Sequence, residues 1–287
     1  MGRREGLALR TAEGAGLCGE KAPQRWWEEE MSLPIFLMSD LGEGSIYVAA
    51  MRAVALSLSP QSPVYDITHS IPRHDIAYAA LVLEDVAPYL PPCVLVVVVD
   101  PGVGGERAVI AAKSGDVLAV APDNGVLSPL LPGATVFRVE NESLMLRPVS
   151  PTFHGRDIMA PVAARLAAGL NIQEVGPRHQ PTMLVLPEPD VSDNFVKGRV
   201  VHVDTFGNLV TNIKRVHLES AGIGTEASVC VCGRQIGRHV RTYSDARKGT
   251  LVWLWGSFGR LEVAVVEGSA AERLKAARGS AVEVRGT

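Results

Sequence analysis

Two rhythms of apolar and polar positions run along the chain, and the change between them divides it. From Pro34 to Leu186, short apolar runs alternate with stretches of helical spacing. Pro34-Ile35-Phe36-Leu37-Met38 reads as a buried strand that ends in the polar loop Ser39-Asp40-Leu41-Gly42. Ser45 is placed to cap a helix whose apolar stripe is Ile46, Ala49, Ala50, Ala53 and Val54. A second strand over residues 63–67 leads into Thr68-His69-Ser70-Ile71-Pro72, and Ile76, Ala80, Leu83 and Val86 predict a helix over about 75–89. The Val-rich run 94–99, bounded by Pro92 and Asp100, is a buried strand, followed by strand-like runs at 108–112 and 117–120 and an Ala-rich helix at 157–170. This alternation predicts an α/β layer with a mostly parallel sheet. Ligand groups in such sheets gather beyond the carboxyl ends of the strands, where Asp40, His69 and Asp100 stand.

Beyond Leu186 the rhythm shortens. Pro187-Glu188-Pro189-Asp190-Val191-Ser192-Asp193-Asn194 is polar and proline-bearing, as a linker would be. Strand-like runs then recur at 198–203, 209–213, 227–232, 250–255, 261–266 and 281–285, punctuated by Gly, Asp and Asn. They predict a smaller all-β domain, barrel-like in form. The expected organisation is an α/β N-terminal domain over 32–187, a linker over 188–195 and a β-barrel-like C-terminal domain over 196–287. Residues 1–31 lack a sustained period and the apolar core of a signal peptide. Met31 is expected to be the true start, with the preceding stretch an extension of the reading frame or a disordered tail.

Composition narrows the function classes. The 287 residues are 47% hydrophobic and 21% charged, with a formal net charge of −3. That balance gives no footprint for nucleic acid or a membrane surface, so the expected partner is a small molecule. No apolar run approaches the ~20 residues of a membrane span. Cys18, Cys93, Cys230 and Cys232 form no disulfide framework, and the alternation around Cys230 and Cys232 places both on one face of a strand. Asp66, His69, His74 and Asp75 match no metal-ligand spacing, and no metal is expected.

Three polar segments carry candidate chemistry. Asp100-Pro101-Gly102-Val103-Gly104-Gly105-Glu106-Arg107 makes a tight glycine-rich loop after a buried strand. It is no phosphate loop: there is no Gly-Lys-Ser/Thr ending, a strand follows it, and Asp100 would repel phosphate. Ser150-Pro151-Thr152-Phe153-His154-Gly155-Arg156-Asp157 sets a histidine just ahead of a helix, with Asp157 placed as a cap or dipole partner. Asp204-Thr205-Phe206-Gly207-Asn208 lies between two strands and reads equally as a hairpin turn, as does Asp123-Asn124-Gly125.

Six motifs in order resemble the SAM (S-adenosyl-L-methionine) hydroxide adenosyltransferases, relatives of the fluorinases and chlorinases: Ser39-Asp40-Leu41-Gly42, Asp66-Ile67-Thr68-His69, Asp100-Pro101-Gly102-Val103-Gly104, Pro122-Asp123-Asn124-Gly125, Thr152-Phe153-His154-Gly155-Arg156-Asp157 and Phe206-Gly207-Asn208. The resemblance runs from about Pro34 to the C-terminus. It implies hydrolysis of SAM to adenosine and methionine, with no cofactor, by a homotrimer whose sites lie between one subunit's N-terminal domain and a neighbour's C-terminal domain. The missing signal and the need for SAM make a cytoplasmic location the expectation. It also implies a water-activating triad, which maps onto Asp100, Arg107 and His154. By the same resemblance Asp40 takes both ribose hydroxyls and Asp204 the methionine ammonium. Phe206 and Asn208 contact adenine, Ser257 the methionine carboxylate, and Ala270 offers backbone atoms to adenine. The chain departs from the fluorinase pattern at Gly155, where a halide-binding serine stands, and at Phe258, where an arginine follows the serine.

The implied chemistry suits these residue types. Methionine leaves a sulfonium as a neutral thioether and needs no general acid, so the demand is for an aligned nucleophile in a dry pocket. Water needs a base, and the residue types leave that role open between Asp100 and His154, with Arg107 favouring hydroxide-like charge. The alternatives are a SAM-dependent halogenase and a SAM or adenosine sensor without turnover.

Overall fold

The computed structural model describes residues 32–286, so expectations for residues 1–31 lie outside the described residues. The N-terminal half is a six-stranded sheet in the order β2-β1-β3-β5-β4-β6. Its strands are β1 (Ile35–Ser39), β2 (Val64–Thr68), β3 (Cys93–Val98), β4 (Val109–Ser114), β5 (Val117–Pro122) and β6 (Thr135–Arg138). β2, β1, β3 and β5 pair in parallel, while β4 runs antiparallel to both of its neighbours. The sheet is therefore mostly parallel, as the alternation of strands and helices predicts.

All six residues of β3 are buried, because the strand is covered on both faces. Val94, Val96 and Val98 pack in one cluster with Met51 and Ala55 of α1 (Ile46–Leu58) and with Val162 and Leu166 of α3 (Ala160–Ala167). Leu95 and Val97 point the other way, toward Ala79 and Leu83 of α2 (Ile76–Val86). The side-chain alternation of one strand thus seals two cores. Ser45 caps α1, its side chain accepting from the Tyr47 amide, as the sequence predicts. Asp75 turns out to be the N-cap of α2 and not its first residue.

The C-terminal half is an antiparallel sheet in the order β11-β10-β14-β8-β9-β13-β12, with β7 paired on β8. Its strands are β7 (Asp190–Ser192), β8 (Phe195–Val203), β9 (Leu209–Lys214), β10 (Ser228–Val231), β11 (Arg234–Ile236), β12 (Leu251–Trp255), β13 (Arg260–Val265) and β14 (Ala281–Arg285). The sheet curls until the two ends of its order meet, where a single bridge joins His239, just past β11, to Trp253 of β12. The form is nearly a barrel, with Val196, Leu209, Trp253, Leu261 and Val282 in its core. Two short helices, α4 (Arg215–Ser220) and α5 (Ala270–Leu274), complete it. Residues 188–195, expected as a linker, include β7. Cys232 lies past the end of β10 in a turn, at φ 49°, so it does not share a strand face with Cys230.

The two halves are joined along α2. Arg260 of β13 is 2% exposed, and its Nε donates to both oxygens of Asp85 at 2.9 Å while a terminal nitrogen reaches Glu84 at 2.6 Å. Lys214 holds the other oxygen of Glu84 at 2.8 Å. Burial opposes ionisation of Glu84, but the hydrogen bonds and charges of Lys214 and Arg260 outweigh it and hold its carboxyl below the usual range. At the start of the helix Asp75 pairs with Arg278, and the Tyr78 hydroxyl meets His202 Nδ1 at 2.8 Å.

Candidate active site

Asp100, Arg107 and His154 meet beyond the carboxyl end of β3. Arg107 Nε donates to Asp100 Oδ1 at 2.9 Å and Oδ2 at 3.1 Å, and one terminal nitrogen also bonds Oδ2. That same terminal nitrogen lies 2.8 Å from His154 Nδ1. A guanidinium can only donate, so Nδ1 accepts, and neutral His154 carries its proton on Nε2. Burial, then the charge of Arg107, pushes the His154 pKa below its ordinary value, which keeps the ring neutral. The Asp100 and Arg107 side chains are only 6% and 12% exposed, so their charges face each other largely out of water.

Two loops must touch for this contact to form. Gly104 has φ +77°, and a Cβ there would stand 2.2 Å from the Pro151 carbonyl oxygen, so only glycine lets the 100–107 loop close on the 150–154 loop. His154 directly precedes a π-helical turn, Gly155–Met159, that leads into α3. Such turns are rare and frequent at functional sites. Asp157, buried inside it, accepts from the Ser150 amide at 2.8 Å and from Arg156 at 2.6 and 2.8 Å. It therefore ties the histidine loop down from within, where the sequence suggests a simple helix-start partner.

Asp40 lies in the same cleft as Asp100 and His154, together with Tyr47, Arg73, His74, Thr152 and Phe153. Its Oδ2 accepts from the His74 amide at 2.8 Å. The loop that carries it is held by His69, whose carbonyl accepts from the Gly42 amide at 2.9 Å and whose Nδ1 meets buried Ser39 at 2.7 Å. His69 Nε2 stands 3.1 Å from Asp66 Oδ1. Ser39, His69 and Asp66 form no nucleophilic triad, because His69 Nε2 makes no hydrogen bond among the described residues and Ser39 has no exposed surface.

A second cleft, sharing no residue with the first, is walled by Asp204, Phe206, Asn208, Tyr243, Trp255, Ser257, Phe258 and Glu262. Asp204 organises its own turn: Oδ1 accepts from the amides of Phe206 and Asn208 at 2.9 and 2.8 Å, and Oδ2 from Asn208 Nδ2 at 2.9 Å. Phe206 is 78% exposed at the rim. Ala270 is fully buried and forms no part of the wall, although the neighbouring Ala271 amide bonds the Gly207 carbonyl and so braces the turn. Tyr243 and Glu262, which the sequence does not single out, also line this cleft, and the Tyr243 hydroxyl donates to Glu262 Oε2 at 2.9 Å. Burial and the charge of Asp204 push the Glu262 carboxyl up.

The candidate site residues therefore fall into two groups: Asp40, Asp100 and His154 line one cleft, with Arg107 bonded to Asp100 and His154 outside that lining, and Asp204, Phe206, Asn208 and Ser257 line the other. The first encloses about 250 Å³, below the ~300 Å³ at which pockets for drug-sized ligands begin.

Comparison with known proteins bears on both halves. Residues 35–176 match the SAM hydroxide adenosyltransferase N-terminal domain, and residues 198–283 the C-terminal domain of the same name. The (R)-S-adenosyl-L-methionine hydrolase of Salinispora tropica is 39% identical over 258 residues, covering 87% of this chain and 97% of that protein. The fluorinase of an Actinoplanes species is 29% identical over 227 residues, covering 68% of this chain and 76% of its own. Among solved structures, an uncharacterized conserved protein from Thermotoga maritima superposes with a TM-score of 0.82 at 34% identity, covering 88% of this chain and 99% of its own. With both halves matched in order and the hydrolase relative aligned nearly end to end, the chain belongs to the SAM hydroxide adenosyltransferase family.

Proposed function

We propose that this protein hydrolyses S-adenosyl-L-methionine to adenosine and L-methionine, with water attacking the 5′ carbon. The observation that carries this reading is the Asp100–Arg107–His154 constellation, a carboxylate and a neutral imidazole that line one cleft and are linked by a cation. The greater likeness to a hydrolase than to a fluorinase supports water as the nucleophile.

In this mechanism the water oxygen bonds to C5′ as the C5′–S bond breaks, and the bonding pair stays on sulfur as neutral methionine departs. The water proton goes to Asp100. His154 is unsuited to take it, since its Nδ1 lone pair is engaged by Arg107 and its Nε2 already carries hydrogen. His154 instead donates from Nε2 to a water lone pair, orienting the attack, and Arg107 offsets the charge that develops on the oxygen. Asp40 holds the ribose hydroxyls, Asp204 the ammonium, Ser257 the carboxylate, and Phe206 and Asn208 the adenine. Substrate spans both kinds of cleft, and in a homotrimer the two come from adjacent subunits. The smallness of the first cleft supports such sharing. No cofactor enters the reaction, and the cytoplasm, where SAM is made and used, is the fitting location. Among the described residues no helix is long and apolar enough to cross a membrane.

The decisive experiment incubates the protein with SAM in oxygen-18 water, with and without chloride, and identifies the nucleosides by mass spectrometry. Adenosine labelled at its 5′ oxygen and indifferent to chloride is expected. A 5′-chloro product would make the protein a halogenase, and SAM bound but unconverted would make it a sensor.

The rate should also depend on pH in a defined sense. Burial and Arg107 hold the His154 pKa below the ordinary ~6.5 of histidine, so the neutral ring persists at and somewhat below that pH. kcat/KM is expected to stay level from neutrality to about pH 6.5 and to fall only below it, as Nδ1 takes a proton and its bond from Arg107 is lost. A half-maximal point clearly above 6.5 on the acid limb would sink the assignment.

A further inference from the structure

In the second cleft, four side chains form one directional hydrogen-bond chain. Asn208 Nδ2 carries two hydrogens; one goes to Asp204 Oδ2 at 2.9 Å and the other toward the Tyr243 hydroxyl at 3.5 Å. Tyr243 passes its own hydrogen on to Glu262 Oε2 at 2.9 Å. Burial and the Glu262 carboxylate raise the Tyr243 phenol, which therefore keeps that hydrogen.

The direction of this chain decides what is left over. Asp204 can only accept, so the Asn208 amide is fixed with its nitrogen toward Asp204. Asn208 is 6% exposed, yet its Oδ1 has no partner among the described residues, and the residue lines the cleft. Glu262 Oε1 is likewise without a hydrogen-bond partner among the described residues. Gly256 makes room for it, since a Cβ there would stand 1.8 Å from Oε1. The edge formed by Asn208 and Glu262 thus offers acceptors and no donor. Around it stand Phe206, Tyr243, Trp255 and Phe258, aromatic walls suited to a flat heterocycle, in a cleft of about 1030 Å³.

We infer that Tyr243 and Glu262 are specificity-determining residues that, through Asn208, select a purine bearing an amino group at position 6 over one bearing an oxo group. This rests on the proposed binding of the adenosyl moiety in this cleft. An exocyclic amine brings two hydrogens to an acceptor edge. A 6-oxo purine brings a lone pair to the same edge and covers these acceptors without matching them, the kind of mismatch on which strong discrimination rests. Glu262→Gln supplies an N–H at that edge, and Tyr243→Phe breaks the chain while keeping the ring.

The test measures dissociation constants for adenosine and inosine, and kcat/KM for SAM and S-inosyl-L-methionine, in wild type, Glu262→Gln and Tyr243→Phe, each with a thermal melt to establish folding. Wild type is expected to favour the 6-amino ligand by at least roughly tenfold, the scale of one well-made buried hydrogen bond. Glu262→Gln should bring the ratio close to one, mainly by improving the oxo ligand, and Tyr243→Phe should lower it partway. Should Glu262→Gln not fold, the Tyr243→Phe ratio alone decides. An unchanged ratio in the folded variants, or no preference in wild type, overturns the inference. If wild type binds adenosine over inosine and the variants level that preference, but SAM is not cleaved, the selectivity stands and the hydrolase reading falls.

Discussion

Asp100→Asn is expected to lower kcat for adenosine formation by about 10²–10⁴-fold, the span of a lost general base, with the dissociation constant for SAM nearly unchanged. The substitution keeps the shape of the side chain and one oxygen for Arg107, so the loop that runs from Asp100 to Arg107 should keep its form. What disappears is the anionic oxygen that takes the water proton. His154 cannot substitute, because the Arg107 contact leaves it no vacant lone pair. Stopped-flow or single-turnover measurement with a separate binding titration distinguishes the roles. A raised KM with unchanged kcat would mean that Asp100 holds substrate and does no chemistry. His154→Asn should cost less than Asp100→Asn, since it removes an orienting donor and leaves the base; the reverse order would assign the base to the imidazole.

The second large effect concerns stability. Arg260→Met removes a cation that is 3% exposed at its side chain and leaves Asp85 and Glu84 facing each other without it. Breaking a buried ion pair from one side costs about 3–5 kcal/mol. Because the carboxylates keep 21% and 31% of their side-chain exposure, and Lys214 still holds Glu84, the lower end of that range is expected. Urea titration followed by tryptophan fluorescence should show the loss in the C-terminal sheet, which carries Trp253 and Trp255. Adding Asp85→Asn and Glu84→Gln should recover much of it, since the penalty lies in the orphaned charges. A shift below about 1 kcal/mol, the size of an exposed pair, would show that water screens the cluster.

Much of this architecture is legible in the residues. β3 announces itself because a strand covered on both faces must be apolar throughout, and the parallel order follows from helices between strands. What the sequence hides is long-range. β6 is short and ends in Arg138, so its run of apolar residues is too brief to stand out. The π-helical turn at Gly155–Met159 has no period of its own and merges with the helix that follows. Arg107 and His154 lie 47 positions apart, and nothing in their spacing tells of a 2.8 Å contact; only resemblance to a family groups them. Glu262 and Arg260 alternate with Leu261 and Val263 as solvent-facing residues of a strand would, yet both turn toward other elements. A charged residue in an otherwise apolar strand carries a faint signal, but not the identity of its partner.

The seam along α2 sets the terms for exchanging parts between relatives. A crossover near residue 188, where the polar proline-bearing stretch invites one, would separate Asp75, Tyr78, Glu84 and Asp85 from Arg278, His202, Lys214 and Arg260. A C-terminal half transplanted onto a foreign N-terminal half whose helix differs at these positions would lose its matching charges, and its buried arginine would have no counterion. The exchangeable unit is therefore the β-sheet together with the surface of α2, and a working hybrid must carry the cap Asp75 and the helix positions Tyr78, Glu84 and Asp85 along with the strands they serve.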